Sequence, residues 1–458
     1  MPENPGTNYS TMKLSKLITA GLLVAGIASM ADAQTVIRFT GSTAYRKQVV
    51  QAIEDALGGS THYACAYAGS GPETSASYAI FSGSFGGSNV IIKTSWSGSE
   101  AGVQAVAQDG TGLPIAFLPN SVITSATIGA AAVSTTNATV NEVPDIDLCD
   151  TFQSTSRFYT PAGAAGIVIG GTSHTFPALL TSGSYPDGVV GVVPFVWVAT
   201  NGGKIGTSGT VQNITNQQLQ ALYTVTPGSG LPLSFLTGLT SDASSYAFPT
   251  GRNPDSGTRL TSLAEAGIGA ISSVTQYQPV DISGSTPALV TATTQTIGQI
   301  RLWPADSVNG ISISTGNSGY SSGGQLASAL GVATSSMSTP LGTGGILIAP
   351  VGTNDAPNSL PVGTYAASTA YPNSQIVGKG GVGALLNFNG VPYSATSIIN
   401  GQYTFWGYEH LYFRSTDVQP FADAVSAAIY STRNVIPVTA LQVGRGSDGG
   451  TVTNGAAY

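Results

Sequence analysis

Three turns in this chain set small hydroxyl residues and glycine where a helix is expected to start: Ser42-Thr43-Ala44, Ser97-Gly98-Ser99 and Ser256-Gly257-Thr258. A helix start leaves backbone N–H groups without intrahelical acceptors and carries a partial positive charge, so an oxyanion can be held there. Serine and threonine hydroxyls add donors, and glycine lets the main chain come close to a ligand. One such turn usually does no more than cap its own helix. Three of them, with Arg252 four residues before Ser256, point to a shared task, because a guanidinium fork matches the oxygens of a phosphate.

Asp150, at the end of Pro144-Asp145-Ile146-Asp147-Leu148-Cys149-Asp150, is the second unusual member. Hydrogen phosphate carries an O–H that a carboxylate can accept, whereas sulfate near neutral pH does not. A buried carboxylate beside the anion would therefore set two acceptors against each other when sulfate enters. The plainer readings are a surface ion pair for Arg252 and a cap for Asp150, on a short helix opening at Thr151.

The elements that must position these groups alternate along the chain. Val36–Phe39 reads as a strand, and Tyr45–Leu57 as a helix with Val49, Ile53 and Ala56/Leu57 on one face, ended by Gly58-Gly59. Val90–Ile92 is a second strand, followed by a helix from about Glu100 to Gln108, and Ile115–Phe117 continues the series. Gly191–Ala199 is a buried strand long enough to pass between two lobes. Thr215 and Gln218 form a capping box opening the helix Leu219–Tyr223. Another helix runs from Ser256-Gly257-Thr258 through Ala266, Gln402–Tyr412 is an aromatic-rich extended run, and Pro420–Tyr430 is a last helix. Strand, hydroxyl–glycine turn and helix in that order argue for an α/β fold. The Ser/Thr/Gly/Asn-rich stretches 120–142, 305–320 and 332–376 show neither period and are expected to be loops and surface insertions.

Composition narrows the function classes. The chain has 458 residues, more than one core usually serves, and 41% of them are hydrophobic. Only 8% are Asp, Glu, Lys or Arg, against roughly 25% in an ordinary soluble domain. Net charge is −7, and 15 scattered Lys and Arg residues supply no basic patch for a nucleic acid. An anionic ligand must then be held by local dipoles and hydrogen bonds rather than by the overall field. Cys65 and Cys149 either form one bridge in an oxidising compartment or stay as two small buried residues. No cysteine–histidine spacing for a metal occurs, and nothing calls for a cofactor.

Lys13 and Lys16, the apolar run Leu17–Ala28 and the small-x-small pattern Ala31-Asp32-Ala33 read as a secretory leader over residues 1–33. The run is too short to span a bilayer. The remaining chain is expected in the periplasm or outside the cell.

The segments Phe39–Ala44, Trp96–Gly102, Asp145–Asp150, Pro194–Val198 with Thr215–Leu219, and Arg252–Thr258 resemble the phosphate-binding proteins of bacterial phosphate ABC transporters, in the same order. The resemblance implies a type II periplasmic-binding fold of two α/β lobes joined by two crossings. Lobe one would span 34–193 plus 403–458, and lobe two 194–402. It implies inorganic phosphate or a related oxyanion as ligand and a membrane permease as partner. It assigns Ser42, Thr43 and the Ala44 backbone to the first anion-binding turn, and a serine of Ser97-Gly98-Ser99 to the second. Asp150 becomes the acceptor carboxylate, Arg252 the arginine and Ser256-Gly257-Thr258 the last turn. The chain departs from the pattern at Cys149, where a small hydroxyl residue is expected, at Asn253-Pro254-Asp255, and at Glu100. With Ser97, Glu100 reads as a capping box whose carboxylate would compete with an anion for the same N–H groups.

Enzyme chemistry has little to stand on. His62, His174 and His410 are far apart in sequence and no nucleophile–base pair shows. The alternative of a different class is an extracellular structural or adhesive protein that reuses the same scaffold, which low charge and long insertions would suit.

Overall fold

The computed structural model describes residues 34–455 apart from 70, 137, 183 and 184, so the leader expected over residues 1–33 lies outside the described part. Helices flank a large mixed sheet. In chain order the elements that matter for the site are β1 (Thr35–Gly41), α1 (Arg46–Ala56), β2 (Tyr63–Ala68), β3 (Tyr78–Phe85), β4 (Ser88–Ser95) and α2 (Ser99–Ala107). They continue as β5 (Ile146–Cys149), β6 (Val189–Ala199), α3 (Asn216–Tyr223), β7 (Tyr246–Pro249), α4 (Gly257–Glu265) and α5 (Gly323–Leu330). The last are β8 (Ile346–Gly352), β9 (Ala384–Phe388), β10 (Trp406–Phe413) and α6 (Gln419–Ala428).

The main strand order is β7-β8-β6-β10-β5-β1-β4-β3-β2. β1 runs parallel to β4 and β5, and β10 runs antiparallel to β5 and β6. All eleven residues of β6 are buried, as a continuous apolar run must be when both faces of the sheet are covered. β6 changes partners along its length. Val189–Pro194 pairs with β10, and Phe195–Ala199 pairs with β8, joined by β9 from Trp197 onward. Pro194, which has no N–H to give to a ladder, sits at the change. One apolar core runs through both halves of the sheet, and Trp197 stacks on Phe405 at a ring separation of 5.2 Å in its middle.

The expected elements appear close to their sequence bounds. α1 buries Val49 and Ile53, and the Thr215/Gln218 capping box opens α3 with bonds of 3.2 and 2.9 Å. The stretches expected to be plain loops hold more. Residues 306–313 form a short antiparallel hairpin, and 332–376 contain β8, which is buried from end to end between β6 and β7. The unbroken run Ile346-Leu347-Ile348-Ala349 has no alternation because it has no solvent face. Both cysteines are buried and free, and the Cys149 Sγ instead meets the Thr151 hydroxyl at 3.1 Å. No helix among the described residues is long and apolar enough to cross a membrane.

Candidate functional site

The three hydroxyl–glycine turns converge where β1, β5 and β10 of one half of the sheet face α4 of the other. Each is set by the end of a strand or the start of a helix. Ser42 and Thr43 follow β1, where the Ser42 N–H donates to Leu148 O (2.6 Å) and its Oγ accepts the Tyr45 N–H (3.3 Å). The second turn precedes α2. Gly98 takes φ +112°, and a Cβ on it would lie 2.5 Å from the Asp255 carbonyl oxygen, so only glycine fits there. The third opens α4, where the Ser256 hydroxyl accepts the Arg259 N–H (3.4 Å).

Asp150, just past β5, ties the second turn to the third. The Ser99 hydroxyl donates to Asp150 Oδ1, and the Asp150 N–H donates back to Ser99 Oγ at 3.2 Å. A Cβ on Gly257 would fall 1.6 Å from that same Oδ1 and 2.8 Å from Ser99 Oγ, so the first turn of α4 rests directly on the carboxyl. Asp150 does not cap a helix: the short turn that follows, Gln153–Thr155, has no side-chain cap. Burial raises the Asp150 pKa above the ordinary carboxylate value, while Ser99, the charge of Arg252 and the Ser42 hydroxyl pull it back.

Arg252 is 2% exposed and is no surface ion pair. Its Nε donates to Tyr320 O (3.0 Å) and its Nη2 to Ser321 O (2.9 Å), which fixes the guanidinium plane. Its Nη1 then reaches the Thr43 hydroxyl at 3.3 Å, from one half of the sheet to the other. Among the described residues, the backbone N–H groups of Thr43, Ala44, Gly257 and Thr258 have no hydrogen-bond partner, although Ala44, Gly257 and Thr258 are buried. Enclosed donors without acceptors cost stability unless something else accepts from them.

Not every expected group belongs to the cluster. The Ser97 hydroxyl turns to Thr40 Oγ1 at 3.3 Å, leaving Ser99 as the serine of the second turn that meets Asp150. Ser97 and Glu100 do not form a capping box. Gly98 is the N-cap, and Glu100 points into the protein to accept from Thr151 Oγ1 (3.3 Å), Ser156 Oγ (2.9 Å) and Arg157 N (3.1 Å). It therefore does not compete with an anion for the α2 N–H groups, and its burial pushes its pKa up to about 7.

Beneath the cluster lies a floor of carboxyls that local sequence patterns do not reveal. Asp147 on β5 and Glu409 on β10 are fully buried. Neither Asp147 oxygen has a hydrogen-bond partner among the described residues, and a Cβ on Gly102 would sit 1.9 Å from its Oδ1. Burial first, then the charges of Glu100 and Asp150, holds the Asp147 carboxyl well above the usual range. Burial, then Asp150 and Asp147, does the same to Glu409, with the Ser42 hydroxyl pulling the other way. The one sequence signal was an acid, Glu409, inside the otherwise apolar and aromatic run of β10. No three His, Cys, Asp or Glu side chains among the described residues are placed to hold a metal ion.

No family model matches the chain, and no curated protein does. Solved structures align with it along most of its length at low similarity. An ABC-type phosphate transport receptor from Vibrio cholerae is 12% identical, covering 86% of this chain and 94% of its own, with a TM-score of 0.38. PstS from Borrelia burgdorferi is 11% identical, covering 85% and 92%, with a TM-score of 0.31. Similarity at this level leaves the ligand of this chain to be read from its own residues.

Proposed function

We propose that this chain is an extracytoplasmic binding protein that clamps phosphate, or a similar tetrahedral oxyanion, between two lobes and carries out no chemistry on it. The observation behind this reading is the array of partnerless N–H groups at Thr43, Ala44, Gly257 and Thr258 beside Arg252 and Asp150. Such an array lacks one thing, a compact acceptor with several oxygens. Arg252 and the Ser256-Gly257-Thr258 turn come from one half, and Ser42, Thr43, Ala44, Ser99 and Asp150 from the other. An anion between them bonds to both, which favours the closed form of a hinge. The lobes are proposed as 34–193 plus 403–458 and 194–402, with the partner change in β6 and the entry to β10 as the crossings. Delivery to an ABC transporter permease in the inner membrane completes the role, and a leader over residues 1–33 would supply the export it needs.

Asp150 sets the selectivity in this reading. Ionised, it accepts the hydrogen of hydrogen phosphate and repels sulfate. Calorimetric titration of the refolded, ligand-stripped protein tests this with phosphate and sulfate in parallel, for the wild type and for Asp150→Asn. The wild type is expected to prefer phosphate by at least about tenfold, a 1.4 kcal/mol difference, and the variant to lose most of that preference. Heat from neither anion would remove the oxyanion reading altogether.

A further inference from the structure

Beside the first anion turn, and sharing Thr43 with it, lies a groove larger than a phosphate ion needs. Its volume is about 570 Å³, within the roughly 300–1,000 Å³ usual for organic ligands. Thr43, which receives Arg252 Nη1, and Gly324 both line it. A Cβ on the adjoining Gly323 would lie 2.1 Å from Asp355 Oδ2 and 3.3 Å from Arg252 Nη1, so groove and anion turns share a wall.

The lining is chemically selective. Arg46, Lys47 and Lys379 border the groove, a concentration of cations in a chain with only 15 Lys and Arg residues. The lining also holds amides such as Asn373 and Gln375 and hydroxyls such as Thr74 and Thr353. Among the described residues no tryptophan, tyrosine, phenylalanine or histidine lines it, so a nucleobase would have no ring there to stack on. Asn354 is held in place, donating from Nδ2 to Ala44 O at 2.7 Å and to Gln48 Oε1 at 2.9 Å. Amides, hydroxyls and one carboxylate, Asp355, can both give hydrogen bonds to alcohol groups and accept them.

We infer that the ligand is a phosphomonoester of a polyhydroxylated alcohol, a sugar or polyol phosphate. Its phosphoryl head sits at the hydroxyl–glycine turns and its alcohol lies in the groove between Lys47 and Lys379. This rests on the oxyanion reading above and names the substrate class for the same site. The head keeps its contacts to Arg252 and the helix starts, and the body adds hydrogen bonds that inorganic phosphate cannot make.

The test is titration of the refolded protein with inorganic phosphate, glycerol 3-phosphate, glucose 6-phosphate and unphosphorylated glucose, repeated with the surface variants Lys47→Ala and Lys379→Ala. At least one ester is expected to bind about tenfold more tightly than inorganic phosphate, and glucose to stay silent. Each lysine variant is expected to weaken that ester by a few-fold to tenfold while inorganic phosphate is unaffected. Inorganic phosphate binding while both esters stay silent, or an ester preference untouched by both variants, overturns the inference and leaves the oxyanion reading standing. Silence from all four ligands overturns both.

Discussion

The rim and the floor of this site are built from opposite chemistry. The rim is made of donors: Arg252, the start of α4, and the Thr43-Ala44 turn after β1. The floor is made of acids: Asp147, Glu409 and Glu100, all buried. In a chain with 8% charged residues, both sets lie inside rather than at the surface. Under the oxyanion reading, the difference teaches how an acidic protein could hold an anion. The rim supplies fixed dipoles and one guanidinium, and the floor repels a bound anion least when its carboxyls are protonated, the form that burial favours.

The largest expected effect lies at the rim. Arg252→Ala removes the one charged donor that, among the described residues, bridges to Thr43, and oxyanion binding should drop below detection by calorimetry, a loss of more than about a hundredfold. The Ser321 carbonyl loses its donor and the Tyr320 carbonyl keeps only the Asn253 N–H, so thermal stability should fall by roughly 1–3 kcal/mol while the far-UV spectrum stays native. Unchanged affinity in a folded variant would falsify the site assignment.

Buried acids, Glu100 of the floor among them, govern the pH dependence of stability. Glu100, Asp255 and Asp448 are pushed up to about 7, in each case by burial first. In the unfolded chain such groups ionise near pH 4, so between about pH 4 and 7 the folded form holds protons that the unfolded form has released. Their contribution is full below pH 4, is lost as pH rises through about 7, and changes little above that. His410, lowered by burial to about 4, works the other way, costing stability as pH falls from about 6.5 toward 4. Three acids outweigh one imidazole. The melting temperature measured by calorimetry should therefore be higher at pH 6 than at pH 8. A steady climb through pH 8 would mean that these acids, Glu100 of the floor included, are ionised in the folded protein, weakening the contrast with the rim.

The smallest effect isolates one floor residue. Asp147→Asn keeps the shape and removes an acid that folding must hold in its uncharged form, with no hydrogen bond to either oxygen. At pH 8 the variant should melt about 2 °C higher than the wild type, and below about pH 4 the two should coincide. A gain of equal size at both pH values would point to the amide finding a partner rather than to charge.

The rim was legible in the sequence because its signals are local. A hydroxyl–glycine turn before a helix needs only a few consecutive residues, and Arg252 precedes its turn by four. The floor was not, because Asp147 and Glu409 meet only through the pairing of β5 with β10, which brings 146–149 against 410–413. Glu100 shows how a local signal can mislead: its spacing from Ser97 suits a capping box, but Thr151 and Ser156 offer it buried hydroxyls and it turns to them. β8 escaped notice for the converse reason. A strand covered on both faces carries no alternating pattern, and its glycine- and threonine-rich flanks blended it into a loop.

The long strand β6 and its neighbour β10 have a consequence for how the chain reaches this state. β10 is made far later than β1 to β5, yet it inserts between β5 and β6 rather than adding at an edge. Until it arrives, β5 offers an open backbone edge and the first half of the sheet cannot close. Folding of this topology is slow and must wait for late residues, since distant pairings pay their loop entropy before any contact rewards it. A chain that stays open until nearly all of it has been synthesised is one that can be threaded through a membrane channel before it locks.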